Sequence, residues 1–191
     1  MSAVYVDSIK DKSDTKTLAT LSSSAVTMHS DVTFPAGHVL QCLSAVKTDD
    51  DFSTTDDAFV DVTGLSVAIT PSSSSNKILI FADVAVGSSA NHSGGIRISG
   101  GNATAYVGDA SSNRQRVAGV STYGDGGAIY DIVSCTKIYL DSPATTSEVT
   151  YVVQASAKIN TVYINRTGDH RDLTAYDPVA SSSITVMEIK V

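Results

Sequence analysis

Two short segments of the chain gather residue types that do chemistry in other proteins. The first, KTDDDFSTTDD at residues 47–57, supplies five carboxylates. They are Asp49, Asp50, Asp51, Asp56 and Asp57. Carboxylate oxygens are good ligands for Ca²⁺, but a helical calcium loop alternates its acids around a central glycine and closes with a glutamate, and this segment does neither. We therefore expect a solvated loop, with a nonspecific or subunit-shared cation site as the alternative.

The second segment, INRTGDHRDLTAYDP at residues 164–178, places His170 beside Asp169 and near Asp172. A histidine next to a carboxylate can act as a general base, but catalysis also needs a nucleophile, and no GxSxG-type motif is present. Alternating charges in a turn-rich segment instead predict a surface or intersubunit salt-bridge loop. The remaining histidines, His29, His38 and His92, are isolated, so we expect no metal site and no cofactor.

Sugar cleavage is the third chemistry to weigh, because it requires two carboxyl groups that any two strands can supply. The glutamates are Glu148 and Glu188, and the chain has no tryptophan to stack against a sugar ring. Eight tyrosines are present and could partly substitute, although core or interface packing is their more common role. A glycan-degrading enzyme is therefore the weakest hypothesis, and we expect the protein not to be an enzyme.

The composition excludes other classes of function. Of the 191 residues, 42% are hydrophobic and 17% charged, with a net charge of -7. The basic residues are scattered singly, so nucleic-acid binding is not expected. No run approaches ~18 apolar residues and the N-terminus lacks a secretion signal, so membrane insertion is not expected either. Cys42 and Cys135 lack metal-ligand spacing and are expected to be two buried free thiols, with one disulfide as the alternative in an oxidising compartment.

The elements that must position these residues are β-strands. Val, Ile, Thr and Tyr are frequent, and good helix formers are scarce. KILIFADVAV at residues 77–86 is apolar on both faces where it begins, which predicts a central strand. EVTYVVQASAKI at 148–159 alternates apolar and polar residues, which predicts a strand with one solvent-exposed face. In FVDVTGLSVAIT, the apolar phase slips by one residue around Gly64, which predicts a β-bulge or a tight bend. We expect six to eight strands in an all-β, antiparallel, jelly-roll-like sandwich.

The first 37 residues differ from the rest, because their apolar residues occur only in short segments that polar residues separate. Such a segment cannot offset ~1–2 kcal/mol of backbone entropy per residue by its own burial. We expect residues 1–37 to be an extended N-terminal attachment arm and residues 38–191 to be the sandwich body. The last segment, SSSITVMEIKV, is apolar on both faces, which predicts an inner strand, a bulge near Met187, or a strand against a neighbouring subunit.

Several segments together resemble a family of tail-fibre-like structural proteins of tailed bacteriophages, common in marine phage genomes. They are GHVLQ, FVDVTGLSVAITPSSSSNKILI, GDASSNR, LDSPATTSEVTYVVQ, TVYINRTGD and SSSITVMEIKV, with VYVDSIKDKSDTKTLAT at the start. The resemblance covers nearly the whole chain. No catalytic residues come with this family, so none are transferred.

The resemblance implies a non-enzymatic virion surface protein, assembled in the host cytoplasm. We expect a homotrimeric short fibre or appendage whose arm attaches it to tail, neck or capsid proteins, with a host surface glycan or receptor as a further partner. A capsid decoration (cement) protein that stabilises the head is the alternative. Six residues are predicted subunit or particle contacts: Val4, Val6, Ile9, Phe34, Ile189 and Val191.

Overall fold

The structure, a computed structural model, describes residues 8–10, 17–22, 25–28, 33–89, 94–120 and 130–191. These residues fall into two compact units, divided between His38 and Val39. The first unit contains an antiparallel three-stranded sheet in the order β1-β2-β3. Its strands are Ser8–Lys10 (β1), Thr17–Leu21 (β2) and Val26–Met28 (β3).

In the second unit, the body, the described residues form ten strands and a short 3₁₀ turn but no α-helix. The strands are Val39–Lys47 (β4), Ser53–Thr54 (β5), Val60–Ile69 (β6), Lys77–Ser88 (β7), Gly94–Ser99 (β8), Gly119–Val120 (β9), Val133–Asp141 (β10), Val149–Ala157 (β11), Val162–Ile164 (β12) and Ser182–Ile189 (β13). The 3₁₀ turn is Ala103–Ala105.

The larger sheet of the body is built around β7. Strand β10 pairs along one edge of β7, and β13 and β12 share the other edge, pairing with its first and last parts. Strand β4 pairs with β13, and β5 pairs with β12. All these pairings are antiparallel. The smaller sheet is also antiparallel and runs β6-β11-β8-β9.

The two sheets pack face to face around one apolar core. The larger sheet contributes alternate residues such as Ile80, Val84 and Val186, and the smaller sheet contributes residues such as Leu65 and Val153. Alternation with a period of two sends these side chains inwards and their sequence neighbours outwards. The predicted all-β antiparallel sandwich is confirmed. The described part of the body has ten strands rather than the six to eight predicted, because it includes the short strands β5, β9 and β12 of two or three residues each.

Two predicted local features are also confirmed. Gly64 has φ +86°, and the pairing of β6 with β11 shifts register near it, as the slip in apolar phase predicted. Strand β13 is an inner strand between β4 and β7, and its pairing with β4 shifts register between Glu188 and Ile189. Its inward residues are buried throughout, and its outward residues are half-buried.

Candidate functional site

The two segments with chemically active residue types lie next to each other in the body. His170 Nδ1 of the second segment lies 3.8 Å from Asp50 Oδ2 of the first. Within the acidic segment, the buried Lys47 ammonium contacts the Asp49 carboxylate and lies 2.6 Å from Asp51 Oδ1. Burial opposes protonation of Lys47, but the two carboxylates outweigh it and raise its pKa. The buried Lys47 ammonium therefore neutralises part of the negative charge of the acidic loop.

Asn165 connects the two segments. Its backbone has φ +68°, a left-handed conformation that asparagine tolerates better than most residues. Its buried Nδ2 donates hydrogen bonds to the carbonyl oxygens of Lys47 at 2.9 Å and Asp49 at 2.8 Å. Its Oδ1 accepts a hydrogen bond from Ser182 Oγ at 2.6 Å. The side chain therefore fixes where the loop after β12 begins.

The same loop is organised further along by Asp177. Its Oδ2 accepts hydrogen bonds from the backbone N–H groups of Arg171 and Leu173, both at 3.0 Å. Arg171 Nε lies 3.0 Å from Asp169 Oδ2, and Arg171 Nη2 lies 3.6 Å from Asp177 Oδ1. The hydrogen bond from Leu173, with those from Arg171, lowers the pKa of Asp177. The predicted salt-bridge loop is thus confirmed.

Two exposed tyrosines complete this loop cluster. The Arg171 guanidinium lies 4.6 Å from the ring centroid of Tyr130 and 5.4 Å from that of Tyr176. The two rings are 6.5 Å apart and inclined at 51°. Cation–π attraction to the guanidinium holds them in place. Tyrosine and arginine are common in the energetic centres of binding interfaces, so this cluster is suited to surface recognition.

A buried carboxylate that sequence reasoning did not identify as structural lies at Glu188. Its Oε1 accepts hydrogen bonds from Asn76 Nδ2 at 2.6 Å and from the backbone N–H and hydroxyl of Ser72, both at 2.7 Å. Its Oε2 accepts one from Gln41 Nε2 at 2.6 Å. Burial opposes ionisation, but these four hydrogen bonds outweigh it and lower the pKa of Glu188. Of the two glutamates weighed for sugar cleavage, this one holds the β6–β7 turn.

A second buried carboxylate, Asp141, anchors the loop that follows β8. Its Oδ2 accepts hydrogen bonds from Tyr151 Oη at 2.6 Å and from the backbone N–H of Asn102 at 3.2 Å. Burial, together with this hydrogen bond to Asp141, strongly raises the pKa of Tyr151. The Tyr151 hydroxyl therefore stays protonated and donates to Asp141. The two residues together hold the loop after β8 in place.

The outward side of the larger sheet, from β10 across β7 and β13 to β4, is here called the outer face. Cross-strand partners in an antiparallel sheet point to the same side, so the pairings define its rows. The rows are Leu140–Leu79–Met187–Cys42, Ile138–Phe81–Thr185–Ser44 and Thr136–Asp83–Ser183–Val46. Most of these side chains are apolar or carry hydroxyls.

The predicted contact residues are distributed over both units. Val4 and Val6 lie outside the described residues. Ile9 is exposed on β1, and the exposed Phe34 stacks on His38 with 4.4 Å between ring centroids.

Ile189 ends β13 on its outward side and is half-buried. Val191 has an exposed side chain, and its backbone N–H donates to Asn76 Oδ1 at 3.3 Å. The structure therefore brings Ile189 to the edge of the outer face, and the contact roles of all six residues stay predictions.

The two cysteines differ in exposure. Both are free thiols, and Cys135 is buried, as predicted. The prediction that both are buried is wrong for Cys42, because it pairs with Met187 on the outer face, whereas Cys135 pairs with Val84 on the core side. Among the described residues, no group of three metal-ligating side chains comes together and no helix could span a membrane.

The chain matches no protein-family model and no curated protein. Among solved structures, it is similar to a chain in the structure of infectious bursal disease virus strain Gx, with a TM-score of 0.38, 13% identity, and 89% of this chain and 45% of that chain covered. For strain Gt the TM-score is 0.39 and the identity 11%, with the same coverage. The chain thus spans less than half the length of these virus chains. Both similarities are weak, so the resemblance to tail-fibre-like proteins stays a prediction.

Proposed function

We propose that this protein is a non-enzymatic structural component of the surface of a tailed bacteriophage particle. In this proposal it forms a short homotrimeric fibre or appendage, attached to other virion proteins by its N-terminal segment. The observation that carries the proposal is the use of its ionisable groups. Glu188, Asp141 and Lys47 each tie a loop to the body, and Asp177 organises the loop after β12 from within.

The outer face supports the same proposal. A protein that works in an assembly needs a surface whose burial costs little desolvation free energy. Such surfaces are depleted of charge at their centre. The rows from Leu79 to Asp83 provide a surface of this kind. Contact with the host surface, in this proposal, falls to the exposed pair Tyr130 and Tyr176, whose rings both contact the Arg171 guanidinium.

A capsid decoration protein is the second candidate. The observation that favours it is the compactness of the body, whose described residues form one sandwich and no repeated shaft. A decoration protein would use its N-terminal segment to clamp neighbouring capsid subunits. A fibre would use that segment to enter a tail or neck socket.

A cryo-EM map of the intact particle tests these alternatives by locating the chain and counting its copies. A few trimers at the tail or at a vertex are expected for the fibre, and hundreds of copies on the shell would establish the decoration protein instead. Particles that lack the chain altogether would refute both. As a companion test, a variant without residues 1–36 should fold but not join the particle, and normal incorporation of this variant would exclude attachment by the N-terminal segment.

A further inference from the structure

We infer that the outer face is the surface through which one copy of this chain contacts a second copy. This inference rests on the homotrimer of the proposed function and assigns its contact to particular residues.

The centre of the outer face is apolar and open to solvent. Ile138 lies directly opposite Phe81, and Leu140 lies opposite Leu79, in the pairing of β10 with β7. Ile138 is 57% exposed, Leu140 46% and Phe81 36%. Met187 on β13 continues the Leu140–Leu79 row. Neighbouring exposed side chains of this size form a contiguous apolar patch, and the largest patch of this kind on a protein often has a function.

The size of the face suits the central part of an interface. Four strands ~4.8 Å apart span ~14 Å, and the five residues from Leu79 to Asp83 span about the same length along the strand. With the side chains at its margins, the face covers on the order of 400 Å². A standard interface buries ~800 Å² per partner and surrounds its apolar centre with a polar rim. Lys77 and Asp83, which flank Leu79 and Phe81 on the outward side of β7, belong to such a rim.

The polar groups of the face already have partners within the face. Ser44 Oγ and Thr185 Oγ1 lie 3.0 Å apart and share a hydrogen bond. The Asp83 carboxylate accepts hydrogen bonds from the hydroxyls of Ser134 and of Thr136, the latter at 2.7 Å. Burying a polar group is costly mainly when its hydrogen bonds are lost. Covering this face would therefore not leave these hydroxyls and this carboxylate without partners.

The edge of the face is open as well. In the described part of the chain, β10 pairs with β7 and with no other strand. Its outward residues are Ser134, Thr136, Ile138 and Leu140. Exposed edge strands usually carry outward charges or proline, which prevent pairing with other chains, and β10 has neither at these positions. This edge is compatible with a protein partner beside it.

The charge distribution of the chain allows a second copy to be that partner. The chain carries a net charge of -7, so two copies repel each other over most of their surfaces. The outer face brings one carboxylate, Asp83, and that group stands at the rim. A strongly basic partner would instead be attracted to the acidic loop at Asp49 and Asp51. The outer face is therefore a place where two copies can meet with little repulsion.

Ile138→Lys tests this contact in the purified full-length chain. Because the residue is exposed, the variant should fold, and circular dichroism and a thermal melt would check this. The matched control is Ile159→Lys, because Ile159 is also 57% exposed but lies in the turn between β11 and β12. In sedimentation equilibrium, the wild type and Ile159→Lys should form the same oligomer. Ile138→Lys should raise its dissociation constant at least tenfold, because a charged group enters an apolar contact.

Cys42 provides a second measurement on the same face without a structural change there. It is exposed, whereas Cys135 is buried and burial raises the pKa of its thiol. A maleimide reagent should therefore report mainly on Cys42. We expect slower labelling in the wild-type oligomer than in Ile138→Lys at the same concentration, and Cys42→Ser should remove the fast reaction.

The outcomes separate this inference from the proposed function. An oligomeric wild type that Ile138→Lys leaves intact, with equal labelling of Cys42 in both, would overturn the assignment of the contact but not the oligomer. A wild type that is monomeric at all concentrations would overturn both the contact and the trimer. The presence of the chain in the particle is tested separately by the cryo-EM map.

Discussion

The Glu188 carboxylate accepts a hydrogen bond from the Asn76 side-chain amide at 2.6 Å in the interior of the body, although the two residues are 112 positions apart. This contact ties the inner strand β13 to the turn between β6 and β7. It belongs to a set of four hydrogen bonds that leave the buried charge fully partnered. Two predictions concern this carboxylate.

Glu188→Ala should lower the free energy of unfolding by about 3 kcal/mol, because it leaves the donors of Asn76, Ser72 and Gln41 without their acceptor. Urea unfolding followed by fluorescence or circular dichroism measures the change. The control is Glu148→Ala, which removes an exposed glutamate and should shift stability by no more than about 0.5 kcal/mol. Equal losses in the two variants would contradict the structural role of Glu188.

The same carboxylate should make stability depend on pH. Hydrogen bonds hold the pKa of Glu188 in the folded protein below its ordinary value of 4.5. The unfolded chain therefore binds more protons in this range, and the free energy of unfolding should fall as the pH drops below about 4.5 and through the folded-state pKa. Glu188→Gln should have a flatter profile than the wild type between about pH 5 and pH 3. Parallel profiles would show that other carboxylates carry the acid sensitivity.

Gly168→Ala should destabilise the body by about 2 kcal/mol or more, because a Cβ at this position would overlap the carbonyl oxygen of Ser88. The nearest atoms all belong to the backbone of Ser88 and Ser89, which leaves little room to adjust. Gly108 is the matched control, because a Cβ there would meet no atom within 4 Å. Gly108→Ala should be neutral or slightly stabilising. Thermal unfolding of the two variants compares them directly.

Tyr151→Phe should cost about 2 kcal/mol, because the buried Asp141 carboxylate loses the hydroxyl that donates to it at 2.6 Å. Tyr176→Phe removes a hydroxyl from an exposed ring and should change stability by less than about 0.5 kcal/mol. Chemical unfolding of both variants, compared with the wild type, measures the difference. A Tyr151→Phe protein as stable as the wild type would indicate that Asp141 finds another donor.

The strands could be predicted because their evidence is local. KILIFADVAV at residues 77–86 lies within β7, and the alternation from Val149 coincides with β11. The bulge at Gly64 was visible for the same reason, since a one-residue slip in apolar phase is a property of neighbouring residues. These patterns depend on side-chain periodicity, which a single strand displays by itself.

The buried polar groups could not be predicted, because their partners are distant in sequence. Glutamate is a residue type that is usually exposed to solvent. The four hydrogen-bond donors to Glu188 come from three residues more than 100 positions away. Cys42 is the opposite case, since it was predicted to be buried and is exposed. Its burial depended on which side of β4 faces the core, and the pairing with Met187 determines that side.

The position of β13 has a consequence for synthesis of the protein. In the described pairings, β4 meets β7 only through β13, and residues 182–189 are translated about 135 residues after β4 ends, as the numbering of β4 and β13 shows. Until they leave the ribosome, β4 lacks its neighbour in the larger sheet and β7 has an unpaired stretch of edge. Unpaired edges attract other nascent chains, so the larger sheet closes only once β13 has been made, and chaperones that shield strand edges should raise the yield of the protein.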